Sequence, residues 1–190
     1  MGGLQRGNTR AVFLPAAGNF SILTAMFELK SLSVEALPRA LERAERYRLL
    51  NEPAVAESIC QDILSLEPEH QQALITLVLA LTDQFAETSA LGVPQVLELV
   101  PRLHGEYERV YYMGIIYERQ ARARLKREYP GAWFDAYDLF LQALEWFARA
   151  EALRPPGNDE AILRWNTCVR LIEGHKLKPR PHDDAEHGIE

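Results

Sequence analysis

The sequence predicts an all-α fold in which antiparallel helix pairs stack as a solenoid. From Ser33 onward the chain is rich in Ala, Leu, Glu, Arg and Gln, which are strong helix formers. Proline and glycine recur at spaced positions, and no segment shows the apolar–polar alternation of a strand. Because short connections make consecutive helices antiparallel, the pattern indicates about three helix pairs and a C-terminal capping helix.

Seven helices are predicted between the proline and glycine breaks. Asn51 follows the first helix and Pro53 opens the second, whereas Asn158 caps the start of the last. Ala73 to Leu81, in the third helix, is hydrophobic on all sides, so we expect this helix to be the most buried. The predicted helices cover 34–50, 54–66, 70–85, 93–102, 105–129, 132–153 and 159–173.

The helical domain is predicted to span 33–173, between a leader at 1–32 and a disordered tail at 174–190. Arg6 and Arg10 precede a mildly apolar stretch that Pro15 interrupts. A dispensable disordered leader is the favoured interpretation, and a weak export signal or a packed segment are the alternatives.

Two helix pairs share small, aromatic, alanine and proline residues at matching offsets. In the third pair these are Val110, Met113, Gly114, Tyr117, Ala143, Phe147 and Pro155. In the first pair they are Ala40, Arg43, Ala44, Tyr47, Ala56, Cys60 and Pro68. Over about 37–172 this pattern resembles the tetratricopeptide repeat family. The resemblance implies that Gly114 and Ala44 let paired helices approach closely, while Tyr47, Tyr117 and Phe147 fill the gap between pairs.

The third pair is longer than the first. Tyr117 and Ala143 lie 26 positions apart, whereas Tyr47 and Ala56 lie nine apart. Shared between two helices, the difference is about eight residues, or ~13 Å, on each. Helices five and six should therefore project as a long hairpin with residues 129–131 at its tip.

Composition and motifs exclude several classes of function. The net charge of -6 disfavours a nucleic-acid binder, and no apolar run is long enough to cross a membrane. Cys60 and Cys168 match no metal or redox spacing, which favours buried thiols in the cytoplasm over one long-range disulfide. The absence of HExxH, GxSxG and phosphate-loop motifs predicts no catalytic residues, cofactor or metal.

One group of metal-ligand residue types lies near the C-terminus. It comprises His182, Asp183, Asp184 and His187. Imidazole and carboxylate groups bind divalent metals, but the prolines and glycine around this group favour a solvated tail.

The leading hypothesis is a non-enzymatic adaptor that binds a protein or peptide. The resemblance implies that the first helix of each pair lines a groove. We expect Tyr111 or Tyr112 to contact the partner; the two cannot both face the groove, since adjacent helical residues point about 100° apart. The predicted groove residues are Arg48, Gln72, Ile75, Thr76, Tyr111, Tyr112, Ile115 and Arg119, with Glu118 beside them.

Two other roles remain open. The first is self-association, as a homo-dimer or an assembly protein, through apolar side chains of the long hairpin. The second is a non-catalytic subunit of an enzyme complex. A basic run on the hairpin would suit an acidic partner or RNA, although such a run is usually a solvated helix face. The hairpin interface comprises Trp133, Phe134, Tyr137 and Phe140, and the basic run comprises Arg119, Arg122, Arg124, Lys126 and Arg127.

Overall fold

A computed structural model describes residues 28–87, 92–127 and 129–181 of the chain. The chain divides into two compact units, residues 1–31 and residues 32–190. In the first unit, residues 28–31 have no regular secondary structure and their side chains are exposed. The rest of the predicted leader, residues 1–27, lies outside the described residues.

The second unit contains seven α-helices and no strand within its described residues, which confirms the all-α prediction. Every helix boundary lies within four residues of the predicted one. Short 3-10 turns precede α1 and follow α4. The helices are α1 (Leu37–Leu49), α2 (Pro53–Leu66), α3 (Gln71–Asp83), α4 (Gly92–Leu99), α5 (Glu106–Leu125), α6 (Ala132–Leu153) and α7 (Glu160–Gly174).

Consecutive helices pack against each other in pairs, as a helix-pair solenoid requires. The pairs are α1 with α2, α3 with α4 and α5 with α6, and α7 packs on α6. Local sequence explains the breaks. Asn51 adopts a left-handed conformation with φ 62°, and Pro53 occupies the first turn of α2. Arg154 is extended with ψ 140° ahead of Pro155, which ends α6.

The third helix has the largest buried share among the described helices. Eight of its 13 residues are buried, and Ile75 and Leu79 are half-buried. The helix contacts α1 and α2 on one side and α4 and α5 on the other. The all-round hydrophobic stretch from Ala73 to Leu81 therefore has the surroundings that its composition predicts.

The elongated third pair is also present. The helix α5 has 20 residues against 13 in α1, and α6 has 22 against 14 in α2. Gly114 lies directly against Phe147, where a β-carbon would come within 2.5 Å of the ring. At the tip, Gly131 has φ 92°, a conformation that suits glycine and redirects the chain into α6.

The helical domain extends beyond its predicted end at residue 173. After α7, Lys176 adopts a φ of 52°, and the chain turns so that Leu177 is buried in the core cluster shared by α5, α6 and α7. Arg180 pairs with Asp135 at 2.8 Å. Residues 174–181 thus pack against the hairpin, although the sequence places them in the tail. The histidine–aspartate group at 182–187 lies outside the described residues.

Both cysteines are free and fully buried, Cys60 in α2 and Cys168 in α7. Burial raises the pKa of each thiol to about 12, with nearby glutamates adding to the effect. The thiols therefore stay protonated at neutral pH. Among the described helices, none is long and apolar enough to cross a membrane.

Candidate functional site

The first helices of the three pairs and the capping helix α7 contribute to one surface. The helix α3 contacts both α1 and α5. The helix α5 reaches α7 and its N-terminal loop through Tyr107, whose hydroxyl lies 3.1 Å from Asn158 Oδ1. It also reaches α7 through Glu118, which lies 3.5 Å from Arg164. We call this surface the α1–α3–α5–α7 face.

One carboxylate links three helices across this face. Asp83, at the end of α3, accepts from Arg48 Nε of α1 at 2.8 Å through Oδ2. Its other oxygen, Oδ1, lies 2.8 Å from Arg119 Nη1 of α5. Both arginine side chains are largely buried, so the pairs are less screened than ordinary surface ion pairs. The network therefore ties successive helix pairs together.

Most of the contacts of Arg119 lie within this network, a structural role that the sequence did not predict. Its Nη1 group also donates to Leu79 O at 2.7 Å and to Thr82 Oγ1 at 2.6 Å. Only 14% of the side chain is exposed. Burial lowers the pKa of Arg119, and the Asp83 carboxylate opposes that shift. Arg119 thus links α3 and α5 and leaves only part of its guanidinium for a partner.

The predicted groove residues divide between surface and interior. Gln72 is exposed, whereas Arg48, Ile75 and Tyr112 are half-buried. Three others are buried, so the expectation that they line an open groove is corrected. They face inward because neighbouring helices close over that side of α3 and α5. The buried three are Thr76, Tyr111 and Ile115.

The two adjacent tyrosines point in different directions. Tyr111 is 8% exposed, stacks on Tyr107 at 5.7 Å and lies 6.0 Å from the Phe147 ring. Burial raises its pKa, and a hydrogen bond with Arg164 opposes that shift. Tyr112 packs against both major core clusters and keeps part of its ring at the surface. Tyr112 is therefore the tyrosine available to a partner.

Glu118 is far more buried than the sequence predicts. Its side chain is 1% exposed, although it stands beside a run of charged residues. Glu118 Oε1 lies 2.7 Å from Arg122 Nη2 and 3.5 Å from Arg164 Nη1. The other oxygen, Oε2, is buried without a hydrogen-bond partner. Arg164 belongs to α7 and lies 46 positions from Glu118 along the chain.

A pocket of about 200 Å³ lies between α3, α5 and α7 on this face. We call it the charged pocket. The apolar part of its wall is small, and it consists of Phe85, Ala86 and Ala123. Most of its wall is charged, and its basic groups outnumber its acids. The charged lining residues are Asp83, Glu118, Arg119, Arg122, Lys126 and Arg164.

The basic run of the hairpin does not form one uniform face. Arg122 and the exposed Lys126 line the charged pocket with Arg119. Arg124 lies elsewhere on α5 and is half-buried. The helical period explains the division, because residues three or four apart share a side of the helix.

The hairpin aromatics are partly covered by the chain itself. Phe140 is fully buried in the core, which corrects its prediction as an interface residue; it lies on the side of α6 that faces α5. Arg180 lies over the Phe134 ring at 5.4 Å, and His175 meets Trp133 edge-on at 6.0 Å. Trp133 nevertheless stays 52% exposed, and Tyr137 is half-buried.

Comparisons of the chain with protein-family models, with curated proteins and with solved structures give no match. The functional interpretation therefore depends on the geometry of the α1–α3–α5–α7 face and of the hairpin.

Proposed function

We propose that this chain is a non-enzymatic adaptor that binds a protein or peptide on its α1–α3–α5–α7 face. The main support for the proposal is the charged pocket, where helices from two different pairs and the capping helix meet. Tyr112 and Ile75 lie on the same face. A partner lying along the face would contact several helices at once. Such use of a surface shared by successive pairs is the mode implied by the resemblance to tetratricopeptide repeats.

A capture experiment tests this proposal. Wild-type protein, Tyr112→Ala and Trp133→Ala are immobilised in parallel and exposed to native lysate. Both substitutions remove one partly exposed aromatic side chain, so each is the control for the other. We expect a partner retained by Trp133→Ala and lost by Tyr112→Ala, with both variants still folded by circular dichroism.

A crosslinking experiment tests the same face without a substitution that could destabilise the fold. Gln72 is exposed and lies on the same side of α3 as Ile75 and Leu79, so a photoreactive amino acid at position 72 leaves the core intact. A crosslink to the captured partner from position 72 supports the face. A crosslink only from a probe placed in the hairpin would contradict it. Identification of the crosslinked protein as an enzyme would assign the adaptor to an enzyme complex.

Self-association through the hairpin is the second candidate. Trp133, Tyr137 and Leu141 follow each other at intervals of four residues on α6, so they form one stripe. Trp133 and Leu141 are 52% and 40% exposed, respectively. Light scattering over a concentration series tests this candidate, because Trp133→Ala should abolish a dimer. A wild-type monomer at the highest concentration would contradict the candidate.

A further inference from the structure

The charged pocket has an excess of positive charge that its own acids do not balance. Four basic side chains and two acidic ones line it. Both acids are already paired: Asp83 contacts Arg48 and Arg119, and Glu118 contacts Arg122 and Arg164. The chain as a whole has a net charge of -6. The pocket is therefore locally cationic although the chain as a whole is acidic.

Several donors of this pocket remain available. A guanidinium carries five N–H groups, and Arg119 uses only its Nη1 nitrogen toward acceptors within the described residues. Arg122 reaches Glu118 through Nη2, which leaves its Nε and Nη1 groups without an acceptor in the described ranges. The ammonium of Lys126 is exposed at the rim. The pocket thus presents hydrogen-bond donors of positive charge to whatever enters it.

Glu118 gives an independent indication of a binding role. A buried carboxylate with one unpartnered oxygen is costly, and a neutral or apolar residue would avoid that cost. Its presence is explained if the carboxylate holds Arg122 and Arg164 at the pocket wall. Glu118 is then a positioning residue that keeps two guanidiniums in place before a ligand arrives.

We propose that the charged pocket binds the carboxylate of an aspartate or glutamate side chain within a peptide lying along the α1–α3–α5–α7 face. This inference rests on the proposed adaptor function and specifies the chemistry of the partner. Guanidinium groups match the planar geometry of a carboxylate and bind it through paired hydrogen bonds. The pocket volume of about 200 Å³ is smaller than that of sites enclosing a small molecule, and it suits a single side chain.

The test uses short random peptides selected on the wild-type protein. Each selected peptide is resynthesised with every aspartate changed to asparagine and every glutamate to glutamine, one at a time. Fluorescence anisotropy then gives the dissociation constant for wild type, Arg122→Gln, Lys126→Gln and the control Arg170→Gln. Arg170 is an exposed arginine of α7 outside the pocket, so it matches the charge change. Urea unfolding confirms that each variant is folded.

We expect one acidic position whose neutralisation weakens binding by about tenfold to 100-fold, as for hydrogen bonds to charged groups. Arg122→Gln should weaken binding of the parent peptide by a similar factor. It should leave binding of the neutralised peptide unchanged, because Arg122 and the acidic side chain of the peptide act as a pair. Lys126→Gln, at the rim, should show the same coupling with a smaller factor, and Arg170→Gln should change neither peptide.

The other results contradict the inference in distinguishable ways. Peptides that need no acidic residue, and that lose affinity on Tyr112→Ala alone, would refute carboxylate binding in the charged pocket. That result would still support the adaptor function. Selection of no peptide at all would refute the inference, whereas failure to capture any protein from lysate would refute the adaptor function itself. Displacement of the peptides by equimolar inorganic phosphate would assign the pocket to a free anion, and tighter binding of a short RNA would assign it to nucleic acid.

Discussion

Gly114→Ala tests the close approach of α5 and α6 on which the elongated pair depends. A β-carbon at position 114 would lie 2.5 Å from Cε1 and 2.6 Å from Cδ1 of Phe147. Carbon atoms in contact normally lie about 3.5–4.0 Å apart. Because the Phe147 ring is fully buried, it has no open space to enter, and the ring or the helix must shift by about 1 Å.

Two effects of opposite sign decide the magnitude. Alanine is favoured over glycine within a helix by ~0.8–1.0 kcal/mol. Extra volume in a packed core costs ~1–3 kcal/mol, and such a short approach to a rigid ring belongs near the upper end. We therefore expect Gly114→Ala to lower the free energy of unfolding by about 1–2 kcal/mol, with a fall in Tm of about 2–8 °C for a domain of this size.

Urea unfolding followed by far-UV circular dichroism measures the change. Gly174→Ala is the matched control, because this helical glycine has nothing within 4 Å of its β-carbon position and should lose no stability. Phe147→Leu should rescue the Gly114→Ala protein, so the two substitutions together should cost less than their sum. If Gly114→Ala is as stable as Gly174→Ala, the close packing of Gly114 on Phe147 is refuted.

Three further predictions follow from burial and charge. Asp83→Asn should cost about 1–2 kcal/mol in urea unfolding, because the partly buried carboxylate is lost and two arginines are left facing each other, whereas Arg48→Met should cost below about 1 kcal/mol; equal losses would contradict the network. The thiols of Cys60 and Cys168 have pKa values of about 12 in the fold against 9.0 ordinarily, so their stabilising effect is complete below pH 9.0 and disappears as pH rises to about 12. Urea unfolding at increasing pH should show that loss, and a flat profile would exclude it. Amide hydrogen exchange should be slowest across 73–82 in α3, and fast exchange there would contradict its central position.

The helices and their lengths were predictable because local residues set them. Pro53 and Pro155 interrupt helices through their own ring geometry, whatever they pack against. The hydrophobic run from Ala73 to Leu81 requires cover on all sides, so its central position followed from composition alone. The spacing between Tyr117 and Ala143 gave the extra length of the hairpin, since every helical residue adds a fixed rise.

The candidate site was only partly predictable because its contacts join distant segments. The sequence correctly placed Glu118, Arg119 and Arg164 on helices, yet gave no sign that Glu118 would be covered. A glutamate beside arginines usually marks a solvated helix face, and its partner Arg164 lies 46 positions away along the chain. Leu177 was assigned to the tail for a similar reason, because its burial depends on a turn at Lys176 that has no strong sequence signal.

The same pairings explain how an acidic chain comes to present a cationic pocket. Asp83 and Glu118 are each shared between two arginines, so their charges are used within the fold. The arginines have more donors than these two acids accept, and Lys126 adds a further charge at the rim. The positive charge of the pocket therefore follows from the pairing of these two acids within the fold, rather than from the total charge of the chain. A preference for acidic partners would then depend on the alignment of α3, α5 and α7. Removing the Glu118 carboxylate should weaken that preference, although every basic side chain that contacts the ligand is unchanged.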